Sequence, residues 1–338
     1  MGELGPHIAG GRGEVPRIAA EPPNLHDSNL LQTFSMNLVS FKGELAALSA
    51  ALIWAIASFV YVSMGKQIPP LVLNLAKCTI AIILSLFTLL IIGDFSPGFS
   101  LQTGLLPLGL LLISGALGIG LGDTAFFEAL NCLGARRSLL LEALSPPLAA
   151  LFAAIFLGET LGYRAWIGIF LTVGGVTWVI LERVPDDFQG KLRPWRGIGF
   201  GLLSALAQAA GAVLSRAALA ETNVSPLWGS LIRLLAGVLI LLILMSFQRR
   251  VWAEFHPLRD RHFLLILITT SFASTYLGIW LQQIALKFTA TGIAQALIAT
   301  SPLFVIPIAL WMKEKVSFRS FFGAVLALLG IWTLFDVK

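Results

Sequence analysis

The chain has 338 residues, of which 57% are apolar and only 12% are charged. This charged fraction is about half that of a soluble domain, which excludes a disordered chain and an ordinary soluble enzyme. The net charge of +5 comes mostly from residues between apolar stretches, so it indicates membrane-surface chemistry rather than nucleic-acid binding. The two cysteines and four histidines suggest neither a disulfide framework nor a metal site, and no cofactor is expected.

Residues 1–43 differ from the rest of the chain. They contain four prolines, scattered charges and no apolar run long enough for a signal-peptide core. This composition predicts a disordered N-terminal extension. Met36 stands just before the first apolar run and is an alternative start to Met1, so the native product could lack part of this extension.

From residue 44 onward, apolar runs alternate with short polar breaks. About 20 apolar residues cross the hydrocarbon core as a helix, because lipid offers no partners to open backbone groups. Continuous rather than alternating apolarity excludes a membrane β-barrel. Ten runs meet this criterion: 44–64, 71–92, 103–131, 135–157, 163–182, 197–219, 227–246, 263–287, 291–312 and 317–335. The third and eighth runs are long enough to be tilted, broken or split in two.

The chain also repeats itself at a spacing of 155 to 156 residues. Residues 157–168 match residues 312–323, and Pro70 matches Pro226. Each half holds five predicted crossings, and this odd number starts the second half on the opposite face of the membrane. The sequence therefore predicts an all-α integral membrane protein with ten transmembrane helices in two inverted five-helix repeats. The predicted parts are the extension at 1–43, a repeat at 44–182, a connecting loop at 183–196 and a repeat at 197–336.

These features together resemble the EamA family of the drug/metabolite transporter superfamily over residues 44–336. The resemblance rests on the doubled five-helix unit and on Leu-Gly-Glu at 157–159 and Lys-Glu at 313–314, which open the last helix of each half. Further matches are Gly168, Gly323, Trp54 and the Pro-plus-basic starts of the second and seventh helices. The resemblance implies a transporter, in many relatives an exporter, of small organic solutes such as amino acids, other metabolites and drugs.

The orientation of the chain is left open by two conflicting indications. The loops after odd-numbered runs hold most of the Lys and Arg, so the positive-inside rule places both termini outside the cytoplasm. The resemblance instead implies cytoplasmic termini. The plasma (inner) membrane is the expected location.

Glu142 is the sharpest candidate for a functional charge, because an intramembrane charge costs about 2.5–3.5 kcal/mol on insertion scales. Pro146 and Pro147 lack N–H groups, so the carbonyls of Glu142 and Ala143 lose their helical donors. An acid and freed carbonyls at one depth suit a cation, an ammonium group or a proton. The alternative is a structural ion pair with another helix. At a spacing of 155, the second half has a leucine here, followed by two prolines: Leu297, Pro302 and Pro307.

The third run combines glycines at 115–122 with two acids, Asp123 and Glu128. The glycines suit either a hinge at Gly122 or tight helix packing, and the acids would line a pathway or lie near a water-exposed end. Gly120-Leu-Gly-Asp123 is similar to a motif of intramembrane aspartyl proteases. That chemistry needs a second aspartate sharing a proton, and the other aspartates lie in tails or loops, so the protease interpretation is rejected.

Three cations complete the set of intramembrane charges. Lys77 and Arg233 each lie seven residues after a proline, about 10 Å inside equivalent helices, and Arg216 lies near the end of the sixth run. They could bind an anionic group of the solute, snorkel to headgroups or pair with the acids. Aromatic and amide side chains suit an organic solute, although anchoring and helix packing explain most such residues. These neutral candidates are Trp54, Asn74, Gln208, Tyr276, Trp280, Gln282 and Gln283.

Glu159 and Glu314 are interpreted as structural. Each opens the last helix of its half, where the helix dipole favours negative charge.

The predicted function is secondary transport of metabolites, amino acids or drug-like solutes by alternating access around a midplane cavity. Glu142 is the main acidic group, and coupling to protons is left open. The sequence has no phosphate-binding loop of the Gly-x-x-x-x-Gly-Lys-Ser/Thr type, so direct ATP use is not expected. The expected partners are the lipid bilayer and a small organic solute, but not nucleic acid. Protons as a further partner and a homo-oligomer are left open.

Two alternative functions belong to other classes. An intramembrane enzyme would need a paired aspartate, His-Glu-x-x-His or Gly-x-Ser-x-Gly, none of which the sequence contains within its apolar runs. A channel or a non-transporting scaffold would be distinguished from a transporter by saturable transport with counterflow.

Overall fold

A computed structural model of the chain describes residues 41–64, 67–94, 96, 105–183, 193–247, 260–304 and 318–336. Regular structure in these segments is helical throughout. The helices are α1 (Lys42–Met64), α2 (Pro70–Ile92), α3 (Leu106–Gly115), α4 (Asp123–Leu133), α5 (Ala135–Glu142), α6 (Ser145–Phe156), α7 (Tyr163–Arg183), α8 (Pro194–Leu219), α9 (Pro226–Ser246), α10 (Arg261–Ser271), α11 (Gly278–Phe288), α12 (Thr291–Ile298) and α13 (Phe318–Phe335).

These elements form seven helical stretches that are long and apolar enough to cross a membrane, which makes the chain an integral multi-pass membrane protein. The stretches are Leu71–Ile92, Leu106–Leu133, Arg137–Phe156, Tyr163–Leu181, Pro194–Leu219, Pro226–Ser246 and Arg261–Phe288. Helix α1 and the shorter apolar helices Thr291–Phe304 and Phe321–Phe335 correspond to described parts of the other predicted runs, and residues 305–312 of the ninth run lie outside the described residues. The count of ten crossings stays a prediction.

The predicted N-terminal extension lies outside the described residues apart from its last three, and α1 begins at Lys42. Most of the predicted connecting loop, at 184–192, also lies outside them.

The two longest runs are continuous and are not split. In the third run, a π-helical segment at Ala116–Gly122 joins α3 to α4, and in the eighth, a similar segment at Phe272–Leu277 joins α10 to α11. A π segment shifts the helix register by widening one turn, and such segments are frequent at functional sites. The two segments begin 156 residues apart, so both repeats carry the same irregularity.

Two shorter runs are broken near their middle. Helix α5 ends at Glu142 and α6 begins at Ser145, with Pro146 in the first turn of α6. A proline is tolerated in a first turn because no N–H is needed there. In the second repeat, α12 ends at Ile298 and a new turn begins before Pro302.

The first helix of each repeat packs into the other repeat. Helix α8 lies against α3 to α6, and α1 lies against α11 and α12. Small residues such as Ala47, Ala150, Ala212 and Ala294 form the core of these contacts, and they allow helices to approach closely in a lipid environment where apolar side chains gain little from mutual burial. Many large apolar side chains are correspondingly exposed on the outer surface.

Candidate functional site

A cavity of about 390 Å³ lies between the two repeats. It collects polar side chains from near the middle of several crossings, where a charge is costly unless it has a partner or a function. Eight of the residues singled out in the sequence line this cavity: Trp54, Lys77, Asp123, Glu142, Pro146, Gln208, Arg233 and Gln282.

Glu142 is the last residue of α5 and reaches the cavity from the broken helix. Its Oε2 accepts a hydrogen bond of 2.8 Å from the hydroxyl of Ser204 on α8. Pro146 and Pro147 offer no N–H to the carbonyls of Glu142 and Ala143. The carboxyl group and the unclosed turn therefore lie together beside the cavity, as the prolines predict.

Asp123, the first residue of α4, lies in an ion pair. Its Oδ2 is 3.7 Å from the Nζ of Lys77 on α2, and its Oδ1 accepts a 3.1 Å hydrogen bond from Nε2 of Gln208 on α8. Ser204 and Gln208 are one helical turn apart, so one face of α8 donates hydrogen bonds to both acids that line the cavity, Glu142 and Asp123.

Arg233 on α9 is only 3% exposed and has a different environment. Its Nη1 donates a 3.2 Å hydrogen bond to Oε1 of Gln282, and its buried Nε has no hydrogen-bond partner in the part of the chain that the structure describes. Among the described residues, no carboxylate oxygen lies within 4.0 Å of its guanidinium nitrogens. Pairing, one of the alternatives for the two equivalent cations, thus applies to Lys77 and not to Arg233.

The glycines of the third run serve mainly as close contacts. A Cβ at Gly115 would overlap the backbone of Arg233, and one at Gly120 would lie 2.7 Å from the side chain of Ile240. At Gly118 a Cβ would instead lie 3.1 Å from Nη2 of Arg233, so this glycine leaves room for the guanidinium. Gly122 is the last residue of the π-helical segment and is buried beside Gln208.

The sequence did not indicate a cluster of hydroxyl groups that also lines the cavity. The Nε1 of Trp54 donates a 2.7 Å hydrogen bond to the carbonyl of Ser274, and the hydroxyl of Tyr61 lies 2.7 Å from Ser274 Oγ. Tyr61, Ser274 and Thr275 all line the cavity. The spacing of Trp54 and Tyr61, two helical turns, could have suggested a common face. Gln295 and Ser301 also line the cavity and were not anticipated.

Arg216 does not line the cavity. Its Nε is 2.6 Å from Oε1 of Glu159, and its Nη1 donates to the carbonyls of Leu286 and Lys287 at the end of α11. Glu159 itself lies four residues before α7 rather than at its start. Its Oε2 accepts a 2.9 Å hydrogen bond from the N–H of Thr291, so the helix end that it caps is that of α12. Glu314 lies outside the described residues.

Five other candidates for solute binding also lie away from the cavity. Glu128 is 3.5 Å from Nη2 of Arg196, with both side chains partly exposed. The hydroxyl of Tyr276 is 2.7 Å from Thr88 Oγ1. Gln283 is fully buried beside Gly229, and neither of its amide atoms has a hydrogen-bond partner among the described residues. Asn74 and Trp280 are not among the cavity residues either.

Equivalent positions of the two repeats around the cavity are 156 residues apart. Lys77 corresponds to Arg233 at this spacing, and the π-helical segments and the ends of α5 and α12 follow it as well. Glu142 therefore corresponds to Ile298, which lines the cavity, rather than to Leu297, which is fully buried in the core. The spacing of 155 was wrong by one residue here because it followed Pro147, whereas the helix break aligns Pro146 with Pro302.

Comparison with known proteins identifies the family of this chain. One crystal structure matches with a TM-score of 0.70 at 18% sequence identity and covers 86% of this chain and 94% of its own, which shows a shared fold. A comparison with proteins of curated function gave no significant match. The sequence pattern described as the EamA-like transporter family matches residues 41–181 and 195–335. With two copies of the pattern over most of its length, the chain belongs to the EamA-like transporter family.

Proposed function

We propose that the protein is a secondary transporter that exports a small organic solute by alternating access. The observation that carries this proposal is the central cavity, which is lined by charged and polar groups of both repeats. Its volume suits a metabolite, amino acid or drug-like solute, and its wall combines aromatic, hydroxyl, amide and charged side chains. The plasma membrane is the proposed location.

The proposed architecture has ten crossings in two inverted repeats. Contacts at the helix ends support opposite directions for α1 and α8, the first helices of the two repeats. Lys42 at the start of α1 lies over the ring of Phe288 at the end of α11, and the end of α8 reaches the same place through Arg216 and the Leu286 carbonyl. Inverted repeats allow one half to rock against the other around a central site.

Glu142 is proposed to exchange a proton during transport. It lies at the cavity with one hydroxyl donor, and among the described residues no cation lies within 4.0 Å of its carboxylate. A carboxyl group in this position can change its charge state without breaking an ion pair. The neighbouring Asp123, held by Lys77 and Gln208, suits a fixed charge.

The test is solute transport by purified protein in sealed lipid vesicles. We expect saturable uptake, counterflow of labelled against unlabelled solute, and stimulation by a pH gradient. The Glu142→Gln variant should retain counterflow and lose the stimulation, whereas Glu128→Gln, at an exposed ion pair, should behave as the wild type. Transport without saturation or counterflow would contradict the carrier mechanism, and unchanged stimulation in Glu142→Gln would remove that residue from proton coupling.

A further inference from the structure

The two repeats contribute different charges to equivalent walls of the cavity. The first repeat supplies Lys77 together with two acids. At the spacing of 156 residues, the second repeat supplies Arg233, but isoleucines stand at both acid positions. All six side chains line the cavity, in the pairs Lys77 and Arg233, Asp123 and Ile279, and Glu142 and Ile298. The cation is thus present twice, and its counter-charge only once.

Arg233 has no replacement for the missing acid. Arg233 is only 3% exposed, yet among the described residues its guanidinium has one hydrogen bond, from Nη1 to the neutral amide of Gln282. Burying a charge without a counter-charge is costly, and an unpartnered buried N–H adds to that cost. The Nε of Arg233 is such a group.

The acids of the first repeat are already engaged elsewhere. Asp123 is bound by Lys77 and Gln208, and Glu142 by Ser204. Asp123 also acts on Arg233 electrostatically, but no carboxylate of the described residues contacts the guanidinium directly. The described part of the cavity therefore presents a cationic site at Arg233 without a direct counter-charge. Gly118 widens the space beside Nη2, where any larger residue would press on the guanidinium.

We propose that Arg233 binds a carboxylate group of the transported solute. The substrate class is then an organic acid or another carboxylate-bearing metabolite, and this inference rests on the proposed transport function. Arginine suits the role because its planar group can donate two parallel hydrogen bonds to a carboxylate, which supplies the missing counter-charge and a partner for Nε. Lys77 is already neutralised, so it does not compete for the solute.

Ligand-induced thermal stabilisation of the purified full-length protein tests this assignment. The probes are matched carboxylates and carboxamides: phenylacetate and phenylacetamide, lactate and lactamide, phenylalanine and phenylalaninamide. A ligand that binds the folded state raises its apparent stability. We expect at least one carboxylate to stabilise the wild type and its amide to have no effect. The Arg233→Gln variant should bind that carboxylate about 30-fold or more weakly, and Arg196→Gln, at an exposed ion pair, should bind it as the wild type does.

A second pair of variants leaves Arg233 in place and protects the test against misfolding. Ile279→Asp recreates in the second repeat the acid that pairs with the cation in the first. It should neutralise Arg233 and abolish carboxylate binding, whereas Ile279→Asn, of nearly the same shape without the charge, should retain it. Arg233→Lys keeps the charge and should retain part of the affinity.

Three results would overturn the proposal: equal stabilisation by amides and acids, undiminished carboxylate binding in Arg233→Gln, or no stabilisation by any carboxylate. These failures differ from failure of the transport function. Counterflow of a neutral or cationic solute that does not depend on Arg233 would leave transport intact and reject only the carboxylate. Carboxylate binding through Arg233 without any counterflow would support the site and reject transport.

Discussion

Two ion pairs near the start of α7 differ in how far they are shielded from water. Arg216 and Glu159 are 19% and 16% exposed and are joined at 2.6 Å, while Arg164 and Asp336 are 61% and 59% exposed and are 3.4 Å apart. The shielded pair also satisfies two carbonyls at the end of α11 and the first N–H of α12. It therefore connects the first repeat to two helix ends of the second.

The shielded pair should matter for stability and the exposed pair should not. Arg216→Gln would remove the arginine's donors to Oε1 of Glu159 and to two carbonyls, so we expect the free energy of unfolding to fall by about 1–3 kcal/mol. Arg164→Gln should leave it essentially unchanged, because an exposed pair contributes little to stability. Thermal unfolding in detergent micelles, followed by tryptophan fluorescence, measures both. Equal losses in the two variants would show that the network at Glu159 contributes nothing beyond an ordinary surface pair.

At the scale of single residues, the sequence predicts charges far better than hydroxyl groups. Glu142, Asp123, Lys77 and Arg233 stand out in apolar runs because a charge there is costly, and all four line the cavity. Tyr61, Ser204 and Ser274 do not stand out, because hydroxyl groups can bond to their own helix and cost little in a membrane. Their role depends on which helix face meets which neighbour, and that follows only from the packing.

Arg216 shows the converse. It is also a cation in an apolar run, but it lies near a helix end, where it pairs with Glu159 and donates to carbonyls at the end of another helix. A cation's position along its helix, rather than its charge alone, therefore decides whether it lines the cavity or binds a helix end.

Helices α7 and α13, the last of their repeats, pack side by side through glycines. Gly175 faces the backbone of Gly323 and Ala327, and Gly330 faces Thr172. A side chain at these positions would overlap the backbone of the neighbouring helix, so glycine permits this close approach. Gly174, the preceding residue, is exposed and has no neighbour within 4 Å of the place a Cβ would occupy.

Adjacent glycines of α7 should thus respond oppositely to alanine. Gly175→Ala forces α7 and α13 apart, and we expect it to lower the free energy of unfolding by about 1–3 kcal/mol, the range for overpacked contacts. Gly174→Ala should leave stability unchanged or raise it by up to about 1 kcal/mol, because alanine favours the helix. Urea or heat titrations of the two variants make the comparison. The packing of α7 against α13 would be in doubt if Gly174→Ala were the more damaging substitution.

The irregularities of the helices were only partly foreseeable. The break between Glu142 and Ser145 follows from two prolines, whose missing N–H groups are a definite chemical signal. The π-helical segments at Ala116–Gly122 and Phe272–Leu277 have no such residue type in common, since the first is rich in glycine and the second is not. A widened turn contains one extra residue, which the neighbouring helices must accommodate. The position of a π-helical segment therefore depends on tertiary packing.

The two repeats have equivalent helices and helix irregularities, but they do not carry equivalent charges at the cavity. Both repeats keep a basic residue seven positions after a proline, a π-helical segment and a broken helix. Only the first keeps the acids, because Ile279 and Ile298 replace them in the second. The cavity is consequently pseudo-symmetric in form and asymmetric in charge. A symmetric set of pairs would be neutral in each half, whereas this arrangement leaves the Arg233 side cationic and Glu142 without a basic partner.

The inverted arrangement can be tested with equivalent positions of the two repeats. Tyr163 begins α7 and Phe318 begins α13, and their side chains are 72% and 82% exposed. Cysteines placed there should react with a membrane-impermeant maleimide from opposite sides of sealed vesicles, because inverted repeats put equivalent helix starts on opposite faces. The two native cysteines, Cys78 and Cys132, are buried and would be replaced by serine in the background.

Labelling of both cysteines from one side would show that the repeats are parallel and would contradict rocking about a central axis.

The same labelling measurement tests the orientation of the chain in the membrane. Trp195, exposed at the start of α8, provides a third position for cysteine. The start of α8 packs beside the end of α4, because the Arg193 N–H donates to the Cys132 carbonyl. A cysteine at position 195 should therefore be labelled from the side opposite to a cysteine at position 163. If that side is the cytoplasm, the basic loops follow the positive-inside rule and both termini lie outside; if it is not, the family expectation of cytoplasmic termini applies.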